Sequence, residues 1–434
     1  MKVCLLAIVA GWVGSGIAAA PGAAIEVDRA MHHLGRVGQP EWREFATRRP
    51  EGDSLTLRFP AQPNAAEGLL RLRQSNVKLD RAVRLNGRRL GRLVLDESDL
   101  IHELTLPAGT LRDGENVLEI AAAAQADDVL VGEIQLFGDA AAARSQQGRL
   151  DVTVVESPGL RALPCRLTVV DSRGVLVPLI GLDGRLAVRP GVAYTTDGRA
   201  SLAVAPGDLV VYASRGFEYG VARQEVRVEP GGTVRVALRL KREVDTAGWV
   251  ATDTHVHTLT HSGHGDATAD ERLITLAGEG IELPVATEHN RLVDLAPDAR
   301  RLGLGDALTP VVGDEVTTAR GHFNAFPFHQ GEAPPDAGLT SWSDLIRTIR
   351  GGHDARFIIL NHPRPACGLP TVRPDSVQSR RGRGSAGNSL SLQRSRSRQF
   401  RGHAVRPDAR GSRLDGALEC GEEITAVGAT TATM

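Results

Sequence analysis

The hydrophobic pattern of this 434-residue chain changes period at Trp249. Before that point, apolar residues recur at every second position in short runs. After it, strand-like runs alternate with helix-like ones. Period-two runs build antiparallel sheets with one buried face, whereas alternating strand and helix segments imply a parallel sheet or barrel. The chain therefore reads as multidomain: two N-terminal β-sandwich units followed by an α/β unit.

Residues 25–140 read as the first β unit. Leu55-Thr56-Leu57-Arg58-Phe59 and Ala82-Val83-Arg84-Leu85 alternate, Asn86-Gly87 is a strong hairpin signal, and Gly114-Glu115-Asn116 leads into Val117-Leu118-Glu119-Ile120. This succession resembles the galactose-binding-like jelly rolls attached to secreted enzymes, which implies a spacer or a glycan-binding unit. Residues 141–147 read as a linker. Residues 148–242 read as a second, smaller sandwich, with alternation in Leu150–Val155, Glu225–Val228 and Thr233–Leu238 and a turn at Pro230-Gly231-Gly232. That unit resembles the carboxypeptidase-regulatory or prealbumin-like sandwiches. Neither β unit shows a catalytic cluster, and His32, His33 and His102 read as surface side chains.

Charge and composition exclude several classes. A formal charge of -1 argues against a dedicated nucleic-acid binder. No internal apolar run reaches the ~20 residues of a membrane span. Residues 1–24 carry a basic start, the apolar run Val3–Val13 and small residues at Ala18–Ala20 and Gly22–Ala24. They read as a signal peptide, so the mature chain is expected to be periplasmic or secreted. Cys4, Cys165, Cys367 and Cys420 show no C-x-x-C spacing, which indicates neither a zinc knuckle nor a redox pair. Cys165 reads as core packing.

The chemistry gathers after Trp249. Of 13 histidines, nine fall between His255 and His362, and that density singles out one region for a site. Polar residues follow predicted strands: Asp253-Thr254-His255-Val256-His257, Thr287-Glu288-His289-Asn290, Gly313-Asp314-Glu315, Gly321-His322-Phe323-Asn324 and Asn361-His362-Pro363. Strand C-terminal ends are where α/β barrels place their sites. Residues i and i+2 of a strand share a face, so His255 and His257 can grip one ion. Imidazole and carboxylate suit zinc, manganese or iron. Thr268-Ala269-Asp270-Glu271 is a capping box that opens a helix closed at Gly280, and Ser341 can cap a second helix. His261, His329 and His353 lack the strand-end position or a neighbouring carboxylate and read as ordinary side chains.

These motifs resemble the polymerase-and-histidinol-phosphatase (PHP) family of metal hydrolases over residues 249–366. The run "DTHVHTLTHSGHGDATADERLITLAGEGIELPVATEHN" is similar to its CehA/McbA-type carbamate-hydrolase branch. The resemblance implies a distorted (β/α)7 barrel holding two or three divalent metal ions. It puts the first motif on His255 and His257, and a nearby additional ligand on His264 or, second, Asp266. It puts the second motif on His289, a bridging carboxylate on Glu315, and later ligands on His322 and His362. Asp253 is expected to orient a histidine ligand, and Asn290 or Asn324 to bond substrate. The implied activity is metal-assisted attack of hydroxide on a small-molecule ester, carbamate or phosphoester. The rival reading is an exported glycan- or surface-binding β-sandwich protein with a remnant metal domain.

One departure stands out. The family pattern ends in an Asp-x-His pair, and none occurs after His362. Residues 371–413 instead hold eleven Arg and two Asp, a local +9 (11 − 2), with almost no periodic apolar pattern. Residues 367–434 therefore read as frameshifted, leaving the barrel truncated and the chain weakly active or inactive. Codons for Thr430–Met434 exist that, read two bases later, encode Asp-Ser-His-Asp. Resequencing of the encoding DNA is expected to expose the shift; an unbroken frame with other codons at Thr430–Thr433 ends that expectation.

Overall fold

The computed structural model describes residues 24–361, apart from 41–44, 46–48, 126, 184, 320 and 354. Residues 1–23 of the expected signal peptide, His362 and the 367–434 segment lie outside the described residues, and Ala24, its expected last residue, opens the first strand.

The first unit contains β1 (Ala24–Leu34), β2 (Leu55–Ala61), β3 (Gly68–Ser75), β4 (Ala82–Leu85), β5 (Arg88–Arg92), β6 (Leu100–Leu106), β7 (Gly114–Ile120) and β8 (Val129–Phe137). Two four-stranded antiparallel sheets, ordered β1-β8-β3-β6 and β2-β7-β4-β5, have the connectivity of a jelly roll. Asn86 and Gly87 take φ of 51° and 79°, as the tight turn joining β4 to β5 requires. Leu70, Leu72, Leu85, Leu118 and Val131 fill the space between the sheets. His33 departs from the surface reading. It is 1% exposed, and its Nε2 lies 2.8 Å from Asp128 Oδ1. An inward-facing strand position with an acid partner accepts a histidine that composition alone assigns to solvent.

Residues 141–147, expected as a linker, are mostly helical. The helix α1 (Ala140–Ser145) starts at Asp139, whose carboxylate accepts from Ala142 N–H, and its alanine run favours that state. The second unit then contains β9 (Gly148–Ser157), β10 (Cys165–Asp171), β11 (Ile180–Gly181), β12 (Leu186–Arg189), β13 (Val192–Thr195), β14 (Arg199–Val204), β15 (Gly207–Ser214), β16 (Ala222–Val228) and β17 (Thr233–Lys241). Its sheets, β12-β13-β10-β15-β16 and β11-β14-β9-β17, enclose a core that includes Cys165, Leu167, Val211 and Leu238. Burial pushes the Cys165 thiol up to about 11, in keeping with a packing role.

The third unit contains β18 (Thr252–Val256), α2 (Leu259–Ser262), α3 (Ala269–Gly278), β19 (Leu283–Ala286), α4 (Ala296–Arg301), β20 (Val311–Val312), β21 (Asp314–Thr318), β22 (Gly321–Phe326), α5 (Trp342–His353) and β23 (Phe357–Asn361). The capping box forms as expected: the Thr268 hydroxyl accepts from Glu271 N–H, and Glu271 accepts from Thr268 N–H. The predicted alternation holds only in part. The sheet β18-β19-β20 is parallel, with α3 and α4 packed behind it. By contrast, β21-β22-β23 is antiparallel, because Thr318 and Gly321 pair across a turn too tight for a crossover. Two three-stranded sheets thus stand, among the described residues, where a (β/α)7 barrel was expected. No described helix is long and apolar enough to cross a membrane.

Helix α3 also docks on the second unit. Tyr194 donates its hydroxyl to Glu279 at 2.7 Å, and Arg215 donates to the carbonyls of Pro164 and Ala277 at 2.6 and 2.5 Å. Gly278 lies at the closest approach, where a Cβ would sit 2.6 Å from the Tyr194 ring and 3.2 Å from the Cys165 backbone. Gly278→Val is expected to cost about 1–3 kcal/mol by overpacking this seam. A thermal midpoint unchanged by the substitution would show that the seam does not form.

Candidate metal centre

Strand β18 ends the approach of the chain to the site. Asp253 and His255 lie on its buried side, and Asp253 Oδ1 accepts from the backbone N–H of His255 at 3.0 Å. The carboxylate thus shapes the strand end that carries His255. His257 follows immediately. His289 follows β19, where the backbone of Glu288–Asn290 bridges to Glu315 as a short parallel ladder.

The sheet β21-β22-β23 supplies the opposite wall. Period two sorts its residues into two faces. Glu315 pairs with Asn324, Thr317 with His322, and His322 with Asn361, so these five share the polar face. Val316, Phe323 and Ala325 point the other way and pack against Leu345 and Ile349 of α5.

Glu315 is the hub. It is 0% exposed, and four imidazoles surround its carboxylate. Oε2 lies 3.3 Å from His255 Nε2, 2.9 Å from His257 Nε2 and 3.1 Å from His289 Nδ1. Oε1 lies 3.1 Å from His322 Nδ1 and accepts from Asn361 Nδ2 at 3.0 Å. His264 completes the set from the loop between α2 and α3, its Nε2 2.8 Å from His289 Nε2. Ligand atoms of His255, His257 and Glu315 lie within 4.8 Å of one another, as do those of His289, Glu315 and His322, and those of His257, His264 and His289. Six of the seven expected ligands therefore converge, with Glu315 shared by two of the three groups. Asp266, the second choice beside His264, faces Arg272 and Arg189 instead, at 3.6 and 3.9 Å.

Electrostatics suit cations. Burial works to raise the Glu315 pKa, but hydrogen bonds from His255, His257, His322 and Asn361 prevail and hold it far below the usual carboxylate range. For His289, burial first, then the neighbouring imidazoles, outweigh Glu315 and bring the pKa down to about 4. A carboxylate held anionic among imidazoles is the donor set that zinc, manganese and iron accept. Thr317 fixes one ring: its hydroxyl donates to the Glu315 carbonyl at 3.0 Å, so it accepts from His289 Nδ1 at 2.7 Å. His289 then turns Nε2 toward His264.

Of the two expected substrate contacts, Asn290 is exposed and also clamps backbone, whereas Asn324 is structural. Asn290, at φ 51°, exchanges hydrogen bonds with the Thr317 backbone at 2.8 and 3.2 Å. Asn324 is fully buried and ties Asn361 to the carbonyl of Thr254, at 2.6 and 2.7 Å. Residues without an assigned role in the sequence reading prove close to the site: Glu288 and Asp314, each beside a ligand, and Asn361. Alternation was the available signal, since a strand that points Glu315 at the site must bury Asp314 on the other side.

No family model matches this chain. No curated protein matches it either. Among solved structures it is similar to the Bacillus anthracis TIE protein at 13% identity, covering 53% of this chain and 42% of that one, with a TM-score of 0.17. GBS52, the minor pilin of Streptococcus agalactiae, is 15% identical over 49% of this chain and 97% of that one, with a TM-score of 0.21. A Faecalibacterium prausnitzii β-glucuronidase is 11% identical over 69% of this chain and 60% of that one, with a TM-score of 0.20.

Asp314 gives the pH prediction. Burial first, with the Glu315 charge, pushes its carboxyl up to about 7 against bonds from the Arg291 and Asn290 backbone, and its Oδ2 has no partner. A raised folded-state pKa means that the folded chain holds this proton more tightly than the unfolded chain. Its contribution is therefore complete below pH ~4 and is lost as pH rises through about 7. Asp314→Asn is expected to remove that decline, so that the variant gains stability relative to wild type between pH 5 and 8. Parallel denaturation profiles for the two metal-free proteins would contradict this assignment.

Proposed function

We propose that this chain is an exported, metal-dependent hydrolase of the PHP type, acting on a small-molecule ester, carbamate or phosphoester. The observation that carries the reading is the arrangement around Glu315: one buried carboxylate, four imidazoles on its two oxygens, and a fifth imidazole beside them. A structural ion pair needs one partner for a carboxylate. Five clustered imidazoles would repel one another once protonated, and they gain from clustering when a cation takes the place of the protons.

His255, His257 and Glu315 would hold one ion, and His289, Glu315 and His322 a second. His257, His264 and His289 form an alternative group that draws on the same two imidazoles, since a neutral ring offers one lone pair to one ion. Bound zinc, manganese or iron supplies Lewis acidity and hydroxide at neutral pH. The protein's own part is to keep Glu315 anionic, to lower the pKa of His289, and to aim the imidazoles. Asn361 and Asn324 do the aiming from below, through the carboxylate and the β18 carbonyl. His264 is exposed and His289 half-buried, whereas His255 is buried, so substrate approaches from the His264 side.

Metal analysis of the purified chain is expected to find two or three divalent ions per molecule, and His257→Ala to abolish hydrolysis of aryl ester, carbamate and phosphoester substrates. Full activity in that variant would refute the assigned site. Bound metal without turnover of any of the three classes would leave the chain a metal-holding, surface- or glycan-binding β-sandwich protein.

A further inference from the structure

Glu288 is fully buried one residue before a ligand, yet among the described residues no Lys, Arg or His lies within ion-pair distance of it. Its partners are neutral. Thr258 donates its hydroxyl to Oε1 at 2.6 Å and its backbone N–H to Oε2 at 3.3 Å, and Ser262 donates its hydroxyl to Oε2. Three donors converge on its two oxygens, and the single proton of Ser262 is one of them. What remains on the Ser262 oxygen is lone pairs. They face His257 Nδ1 at 3.3 Å. A lone pair is satisfied only by an N–H, so His257 carries a proton on Nδ1, and an ion that displaces the proton Nε2 shares with Glu315 meets a bare Nε2. That nitrogen lies 2.9 Å from Glu315 Oε2 and 3.0 Å from His255 Nε2, on the ligand side of the ring.

We propose that Glu288, acting through Ser262, is a positioning residue that fixes the tautomer and ring orientation of His257 so that Nε2 meets the ion. The inference rests on the metal-centre reading above and adds to it a buried anion–hydroxyl–imidazole relay. The relay explains why a carboxylate with no cation of its own is buried there: a negative charge behind the ring raises the basicity of the ligating nitrogen. The link is local, since Thr258 and Ser262 bracket helix α2 just after the histidine they serve.

The test uses the full chain, stripped of metal and titrated with zinc. Ser262 is half-buried, so Ser262→Ala is expected to fold. It should bind zinc about 10–100-fold more weakly. Ser262→Thr, which keeps the hydroxyl, should restore binding. Adding Glu288→Ala to Ser262→Ala should cost no further affinity. In histidine-selective 15N NMR of the zinc-loaded protein, His257 should show Nε2 ligation and an exchange-protected Nδ1–H, with the protection lost in Ser262→Ala alone. Zinc affinity within twofold of wild type in Ser262→Ala, or ligation through Nδ1, would overturn the proposal. A wild-type chain that binds zinc with this signature but hydrolyses nothing keeps the relay and loses the activity. A chain that binds no zinc loses both.

Discussion

The third unit depends on how it buries the charge of Glu315. An isolated carboxylate in a protein interior costs several kcal/mol, and this one is tolerated because donors from four separate segments reach it. Those segments come from both sheets: His255 and His257 from the end of β18, His289 from the end of β19, His322 from β22 and Asn361 from β23. The parallel and antiparallel sheets are therefore joined through one side chain as well as through the backbone. Five imidazoles drawn to one point also repel in their protonated form, so acid must loosen what a cation tightens. A cation bound at the proposed centre would therefore couple its occupancy to the folding of this unit.

How much of this was legible in the sequence varies with the range of the interaction involved. His255, His257, His289, Glu315 and His322 stand out because each lies at or just past a short apolar run, and strand geometry projects such residues together. The sandwiches were legible for the same reason: alternation in Leu55–Phe59, Leu150–Val155 and Thr233–Leu238 is a local property of a half-buried strand. The capping box at Thr268 needs only four residues to be read.

The misreadings have equally physical causes. Asn324 is a polar residue at the site, and nothing in its identity separates a substrate contact from a backbone clamp; its burial makes that distinction. His33 looked solvated because its partner, Asp128, lies 95 residues away. The antiparallel direction of β21-β22-β23 turns on a tight connection between Thr318 and Gly321, which a strand-by-strand reading passes over in favour of alternation. The short helix α1 formed where small residues suggested only a spacer. Glu288 went unassigned because its role lies in what Ser262 does with a single proton.

The seam between the second and third units extends to the loop that carries the most exposed imidazole. Arg189, at the end of β12, donates to the carbonyl of Asp266 at 2.7 Å and to Glu271 at 3.0 Å, while Arg272 reaches Asp266 from α3. His264 sits two residues before that carbonyl, between Gly263 and Gly265, both at positive φ. A guanidinium belonging to a β-sandwich thus tethers one end of an otherwise pliant, glycine-flanked segment. The third unit is consequently not a cassette that can be excised at residue 249 with its geometry intact, and a sandwich that looks like an appendage forms part of the scaffold on which the fifth imidazole is held.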